Sequence, residues 1–207
     1  MKSAIAFLFF SAAVFVQAAP SPKVVDFLNM PPEARDFSLQ KQKDSFYQDL
    51  VQVAFSPKYP MRLRWRALAS AARFKPQRAM GDLRRASMSA DWYLRNASLV
   101  SLAEINPQEG RKLARSLVKD KALVVRSAAV DVLVKQGLAN VDRDLLWEEL
   151  HQDYNFKKSQ SLWIRPQIVE ALARFPLTHE RELFARLLND KHAQIRQTAK
   201  LALTKLK

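Results

Sequence analysis

Three histidines, His151, His179 and His192, are the side chains in this sequence best suited to proton transfer or metal binding near neutral pH. None has the i, i+4 partner that puts two metal ligands on one helix face, and each is flanked by surface-like polar residues. The chain has no cysteine, so it has no thiolate nucleophile, no disulfide and no cysteine-based zinc site. It has only three glycines and no Gly-rich phosphate loop. Serine, histidine and aspartate fall in no nucleophile-elbow context. The acidic pairs Glu148–Glu149 and Glu180/Glu182 read as solvated helix surface. The sequence thus points to a non-enzyme with no cofactor and no metal, and recognition becomes the function to look for.

The elements that would position recognition residues follow from a repeat. Leu63-Arg64, Leu94-Arg95 and Val125-Arg126 are spaced by 31 residues, as are Ile164-Arg165 and Ile195-Arg196. The middle gap of 39 residues contains an insertion of eight, near Asp153–Ser161. Relative to each arginine, position +3 carries Ala67, Ser98, Ala129, Ile168 and Ala199, and position +7 carries Ala71, Leu102, Leu133, Leu172 and Leu203. Position +4 is apolar (Leu68, Leu99, Val130, Val169) until Lys200. Apolar residues at −1, +3, +4 and +7 make one stripe of an α-helix.

Six residues before four of the arginines stand Ser89, Asp120, Ser159 and Asp190, expected N-caps of the Arg-bearing helices. Upstream lies a second set of helical segments, such as "NPQEGRKLARSLVK", with Asn106 as cap and Pro107 at the first helical position. Gly137 is the expected stop of the third Arg-bearing helix. No strand pattern follows Pro60. The fold class is therefore all-α: about five helical hairpins that bury their faces only by stacking into an α-solenoid. A closed four-helix bundle is the rival, but it does not call for five copies of one register.

"LVKDKALVVRSAAVDVL" and "LLNDKHAQIRQTAKLAL" resemble the second half of HEAT repeats of the short bacterial, phycobilisome-lyase-like type. The shared features are Asp120 with Arg126, Asp190 with Arg196, and the small residue at +3. The resemblance implies that each aspartate caps its helix and that the arginines join the aspartates in a ladder through the stack. Ser89 and Ser159 keep the cap but not the charge. The resemblance covers residues 38–207 and implies an architecture rather than an activity. Units fall at roughly 38–75, 76–106, 107–137, 138–175 and 176–207. Residues 19–37 read as a mostly irregular linker with one short helix near Lys23–Asn29, and Ser38 as the cap of the first helix of unit one.

Ahead of the linker, Lys2 and the apolar run Ala4–Val16 read as a signal peptide of residues 1–18, cleaved after Ala18. Pro20 and Pro22 follow directly, and no transmembrane segment is expected in the mature chain. The protein is accordingly expected in a periplasm or outside the cell.

On the Arg-bearing helices, the side opposite the apolar stripe has offsets −2, +1, +5 and +9. The −2 column reads Arg62, Tyr93, Val124, Trp163 and Gln194, the +1 column begins with Trp65, and Arg73 opens the +9 column. Arg62, Trp65, Arg66, Arg73, Tyr93 and Trp163 are the expected partner-binding residues on a concave face, since Trp, Tyr and Arg dominate interface hot spots. The alternative for each aromatic is burial between units. With net charge +14, the expected partner is an acidic protein. The basic stretch Lys58–Arg95 also suits an anionic envelope component or membrane surface, while the export signal argues against nucleic acid.

Overall fold

The computed structural model describes residues 22–206. The expected signal segment and its cleavage point lie outside the described residues. The helices are α1 (Pro22–Asn29), α2 (Pro32–Leu39), α3 (Ser45–Phe55), α4 (Met61–Phe74), α5 (Pro76–Ser87) and α6 (Trp92–Ile105). They continue as α7 (Pro107–Leu117), α8 (Leu123–Lys135), α9 (Asn140–Glu149), α10 (Ile164–Ala173), α11 (Arg181–Leu187) and α12 (Ala193–Lys205). From α3 onward they pair as five hairpins, and the second helix of each carries the repeated arginine. The chain is an all-α solenoid.

The second helices pack directly on one another, α4 on α6, α6 on α8, α8 on α10 and α10 on α12. The first helices meet the stack mainly through this second row. Closer spacing of one row bends the array toward it, so α4, α6, α8, α10 and α12 form the inner wall. The small residues Ala67, Ser98, Ala129 and Ala199 at +3 are fully buried and allow this approach. Leu68, Leu99, Val130 and Val169 at +4 are fully buried or nearly so, each fully buried aliphatic side chain contributing roughly 2 kcal/mol. Lys200, in the same column, is exposed.

The segment before α3 differs from the sequence expectation. It is not mostly irregular: Pro22 and Pro32 open α1 and α2 at positions where a missing N–H costs nothing. Val24, Phe27 and Leu28 of α1 are buried, and the Phe27 ring meets Phe46 edge-on at 5.1 Å. By packing on α3 and α4, α1 takes the place a preceding repeat would fill. Ser38 lies inside α2 rather than capping the first hairpin, and α3 begins only at Ser45.

The insertion also departs from expectation. It forms a 3-10 turn (Asp153–Asn155) and a small hairpin, β1 (Phe156–Lys157) antiparallel to β2 (Gln160–Ser161). Lys158 and Ser159 at its tip have φ of 50° and 64°, the two left-handed residues of a tight two-residue turn. Ser159 is thus a hairpin-tip residue and not a helix cap; α10 starts later, behind Trp163.

Candidate interaction surface

The arginine register builds a rigid frame first. The Arg95 Nε and Nη2 donate to the Asp120 Oδ2 and Oδ1 at 2.6 and 2.7 Å, both side chains almost fully buried. Arg165 Nη2 reaches Asp190 Oδ2 at 2.7 Å, and Arg64 Nη2 reaches Asp91 Oδ2 at 3.0 Å. Arg64, Arg95 and Arg165 thus pair with an aspartate of the following unit, while Arg95, Arg126 and Arg196 hold carbonyls of their own turn, as Arg126 Nη1 does at Asp120 O (2.6 Å) and Arg196 Nη1 at Asp190 O (2.7 Å). Unit two supplies Asp91 in place of Ser89. Unit four supplies the Tyr154 carbonyl, 3.1 Å from Arg126 Nη2, in place of Ser159.

Asp120 and Asp190 are not N-caps. Asp120 Oδ1 accepts from Ala122 N (2.7 Å) and Asp190 Oδ1 from His192 N (2.8 Å), while Ala122 and His192 occupy the cap positions. Ser89 Oγ likewise accepts from Asp91 N at 3.1 Å. These are Asx- and Ser-turns that orient the chain two residues ahead of the helix, leaving the second carboxylate oxygen for the neighbouring arginine. Burial alone would raise the pKa of Asp120 and Asp190. The Arg95 and Arg165 guanidiniums and the turn amides outweigh it and hold both below the ordinary carboxylate range.

A second set of pairs ties the outer helices. Asp142 is completely buried and accepts from Arg111 Nη1 and Arg115 Nε, both at 2.6 Å. Glu180, also buried, accepts from Arg143 and from Trp147 Nε1 (2.9 Å). Glu149 is buried and accepts from the Tyr154 hydroxyl. Glu149 and Glu180 are therefore not solvated helix surface, because the insertion supplies a donor for Glu149 and the preceding unit supplies those for Glu180. Nothing in the one-dimensional register announces these pairs.

On the inner wall the four expected columns behave differently. The +1 column lies between repeats: Trp65 Nε1 donates to Asn96 Oδ1 at 3.1 Å, and Ser127 Oγ to Gln167 Oε1 at 2.8 Å. Tyr93 is partly buried, its hydroxyl bonded to Arg64 and its ring 5.2 Å from that guanidinium. Trp65 and Tyr93 thus serve the joint between units one and two. Trp163 is exposed, at the very start of α10. Arg62 donates to Asn29 Oδ1 (3.3 Å), Arg66 to the Leu28 carbonyl (2.9 Å), and Arg73 pairs with Glu104 (3.1 Å) and Asp36 (3.3 Å). The six residues do not form one patch.

The open groove is set by the +5 and +9 columns. One hollow of about 530 Å³ is lined by Arg73, Val100, Glu104, Asp131 and Lys135. The next, about 510 Å³, is lined by Asp131, Glu170, Arg174, Leu201 and Lys205. Val100 and Leu201 are exposed apolar side chains on its floor. The +5 residues are legible from the same register as the arginines, but aromatic content drew attention to the −2 and +1 columns. At the N-terminal end the groove is electropositive. Burial and the neighbouring Arg66 guanidinium push Arg35 of α2 below its ordinary value, with Arg73 adding to the effect and Asp36 opposing it. The cations of Lys58–Arg95 divide between this inner end, the ladder and the outer helix α5.

A third hollow, about 1010 Å³, lies between the hairpin and the turn before α12. It brings together His151 and His192, which the sequence reading placed apart, with Asp153, Ser161, Arg165 and Asp190. Burial, aided by Arg165, pushes His151 below its ordinary value. Asp190 is committed to Arg165 and the His192 amide, so it does not serve either imidazole as a base. Among the described residues no group of three His, Asp or Glu side chains stands close enough to hold a metal ion.

Fold and surface together define the class as a helical-repeat solenoid protein. No protein-family model and no curated protein sequence matches the chain. Among solved structures it is similar to an engineered protein, with 16% identity over 89% of this chain and 87% of the other at a TM-score of 0.50. A designed armadillo repeat protein aligns with 12% identity over 90% of this chain and 99% of its own, at a TM-score of 0.49.

Proposed function

We propose that this chain is an exported, non-catalytic interaction module of the HEAT-repeat type that holds a protein partner along its inner groove. The observation that carries the reading is the groove itself. Successive inner helices leave Val100 and Leu201 exposed on a floor flanked by Arg73, Lys135, Arg174 and Lys205, while the buried ladder fixes the helices that bear them. Apolar contact points rimmed by charge on a rigid frame are what a protein interface needs. An acidic partner fits the electropositive end, where Arg62 and Arg66 have no carboxylate partner among the described residues. Export rests on the apolar run Ala4–Val16 and the small residues at Val16 and Ala18.

The test is a pull-down from envelope extract at moderate salt with wild type, Val100→Glu/Leu201→Glu and Trp65→Ala/Trp163→Ala. A partner retained by wild type and lost by the groove variant supports the reading. The Trp65→Ala/Trp163→Ala variant should lose less, because Trp65 is spent on Asn96. Identical partner lists for wild type and the groove variant would remove the groove assignment.

A further inference from the structure

The turns joining first to second helix in each unit lie in one row along one edge of the solenoid. The ladder establishes this, since Arg64 reaches Asp91, Arg95 reaches Asp120, Arg126 reaches the Tyr154 carbonyl and Arg165 reaches Asp190. With neighbouring helix axes roughly 10 Å apart, five units make a row about 40 Å long.

Two kinds of side chain point outward from this row. Met88, Trp92, Tyr154, Trp163 and Leu188 are exposed, Met88 by 79%. Among them stand Lys58, Lys121, Lys157, Lys158 and Lys191, all exposed and none with a carboxylate partner among the described residues. The turn aspartates do not offset them: Asp91, Asp120 and Asp190 are consumed by the ladder, and Asp153 is the acid left over. The edge is therefore predominantly cationic and apolar together, with Asp153 its one uncommitted turn aspartate, unlike the groove, where Arg73 meets Glu104 and Asp131 and Glu170 stand beside cations.

We infer that this edge docks on an anionic lipid membrane surface, with the lysines at lipid phosphates and the Trp92, Met88 and Leu188 side chains in the headgroup–acyl boundary. Lysines spaced along a row suit a surface whose charge is spread everywhere and needs no matching register. Tryptophan, with an apolar body and one N–H, is the side chain that settles at such a boundary. The insertion strengthens the edge, because its left-handed tip carries the exposed Lys158 at the rim of the 1010 Å³ hollow that Lys191 also lines, alongside Asp153 and the ladder-bound Asp190. Among the described residues no helix is long and apolar enough to cross a membrane, so the described part attaches from one side.

The test uses the chain from Ala19 on, which retains every described element, sedimented with vesicles of phosphatidylcholine alone or mixed one part in three with phosphatidylglycerol. Binding is expected to the anionic vesicles only, weakening as salt rises, with a blue shift of tryptophan emission. Each lysine near such a surface strengthens binding roughly fivefold, so Lys121→Gln/Lys158→Gln/Lys191→Gln should weaken it about a hundredfold. Met88→Ser/Trp92→Ser should reduce the blue shift, and Lys135→Gln/Arg174→Gln in the groove should change nothing. Equal binding to neutral vesicles, no binding, or a triple-lysine variant that binds like wild type would overturn the inference. If the edge variants lose a protein captured in the pull-down while vesicles are ignored, the edge serves a protein and the lipid assignment fails. The groove reading is judged separately by Val100→Glu/Leu201→Glu.

Discussion

The Arg95–Asp120 pair shows how one side chain does two jobs. One carboxylate oxygen of Asp120 fixes its own turn through the Ala122 amide, and both meet the guanidinium of the unit before. The sequence separation of six between Asp120 and Arg126 was legible, but the cap of α8 was misplaced by two residues, at Asp120 instead of Ala122. A helix N-cap and an Asx-turn both place a short carboxylate ahead of a helix and accept a nearby N–H, so sequence spacing alone does not separate them. Asp120→Asn keeps a turn acceptor yet leaves Arg95 buried without a counter-charge, and should cost about 3 kcal/mol in urea unfolding at neutral pH. The pH dependence has a definite sign. Because the folded pKa of Asp120, Asp190 and Glu180 lies below the unfolded value, their contribution is complete above the unfolded carboxylate pKa and is lost as pH falls through the folded one. Unfolding free energy measured from pH 7 downward should therefore hold until the carboxylate range and then drop. The drop should be shallower in Asp120→Asn; equal slopes would show that the pair does not carry the linkage.

Elements were read well where a period governed them and poorly where a local contact did. The −1, +3 and +7 stripe located the five inner helices and a short helix was expected where α1 lies, whereas α2 went unseen because four prolines between Pro20 and Pro32 suggested breakage. Pro22 and Pro32 instead open helices, and tertiary contact, of α1 with α3 and α4 and of α2 with α1, is what makes such short ones stable. Two glycines separate the same two influences. At Gly110 a Cβ would stand 2.4 Å from the Ala103 Cα, so α7 approaches α6 too closely for any other residue. At Gly81, on the outer face of α5, nothing lies within 4 Å. Gly110→Ala should destabilise by about 1–3 kcal/mol through forced separation of the two helices. Gly81→Ala should stabilise by roughly 0.5–1 kcal/mol through helix propensity alone. Chemical denaturation of the two variants checks both signs; a neutral Gly110→Ala would mean that the α6–α7 joint yields.

Across the whole molecule, contacts run from each unit to its neighbours, and the core divides into two clusters. One extends from Val24 to Leu102 and the other from Leu99 to Ala202, with Leu113 packed against both. A quasi-linear array of this kind can lose one end while keeping the other, unless the joints are strong enough to make unfolding all-or-none. The weakest joint in the ladder is between units three and four, where Arg126 has a carbonyl instead of a carboxylate and its buried Nε has no partner. Damage beyond that joint should stay there. Phe184 of α11 is fully buried, its ring edge-on to Trp147 at 5.0 Å, and Phe184→Ala removes about 3–5 kcal/mol of packing. Amide hydrogen exchange of this variant should lose protection across α9–α12 while α3–α6 keep theirs, since Arg64–Asp91 and Arg95–Asp120 lie on the intact side. Uniform loss from α3 to α12 would mean that the carbonyl step, together with the buried Arg111 and Arg115 pairs to Asp142 across the same joint, couples the halves as firmly as the ladder carboxylates do. The two outcomes carry different consequences for binding: in the first, the Leu201 end of the groove opens and closes independently of the Val100 end, and in the second both ends are presented together or not at all.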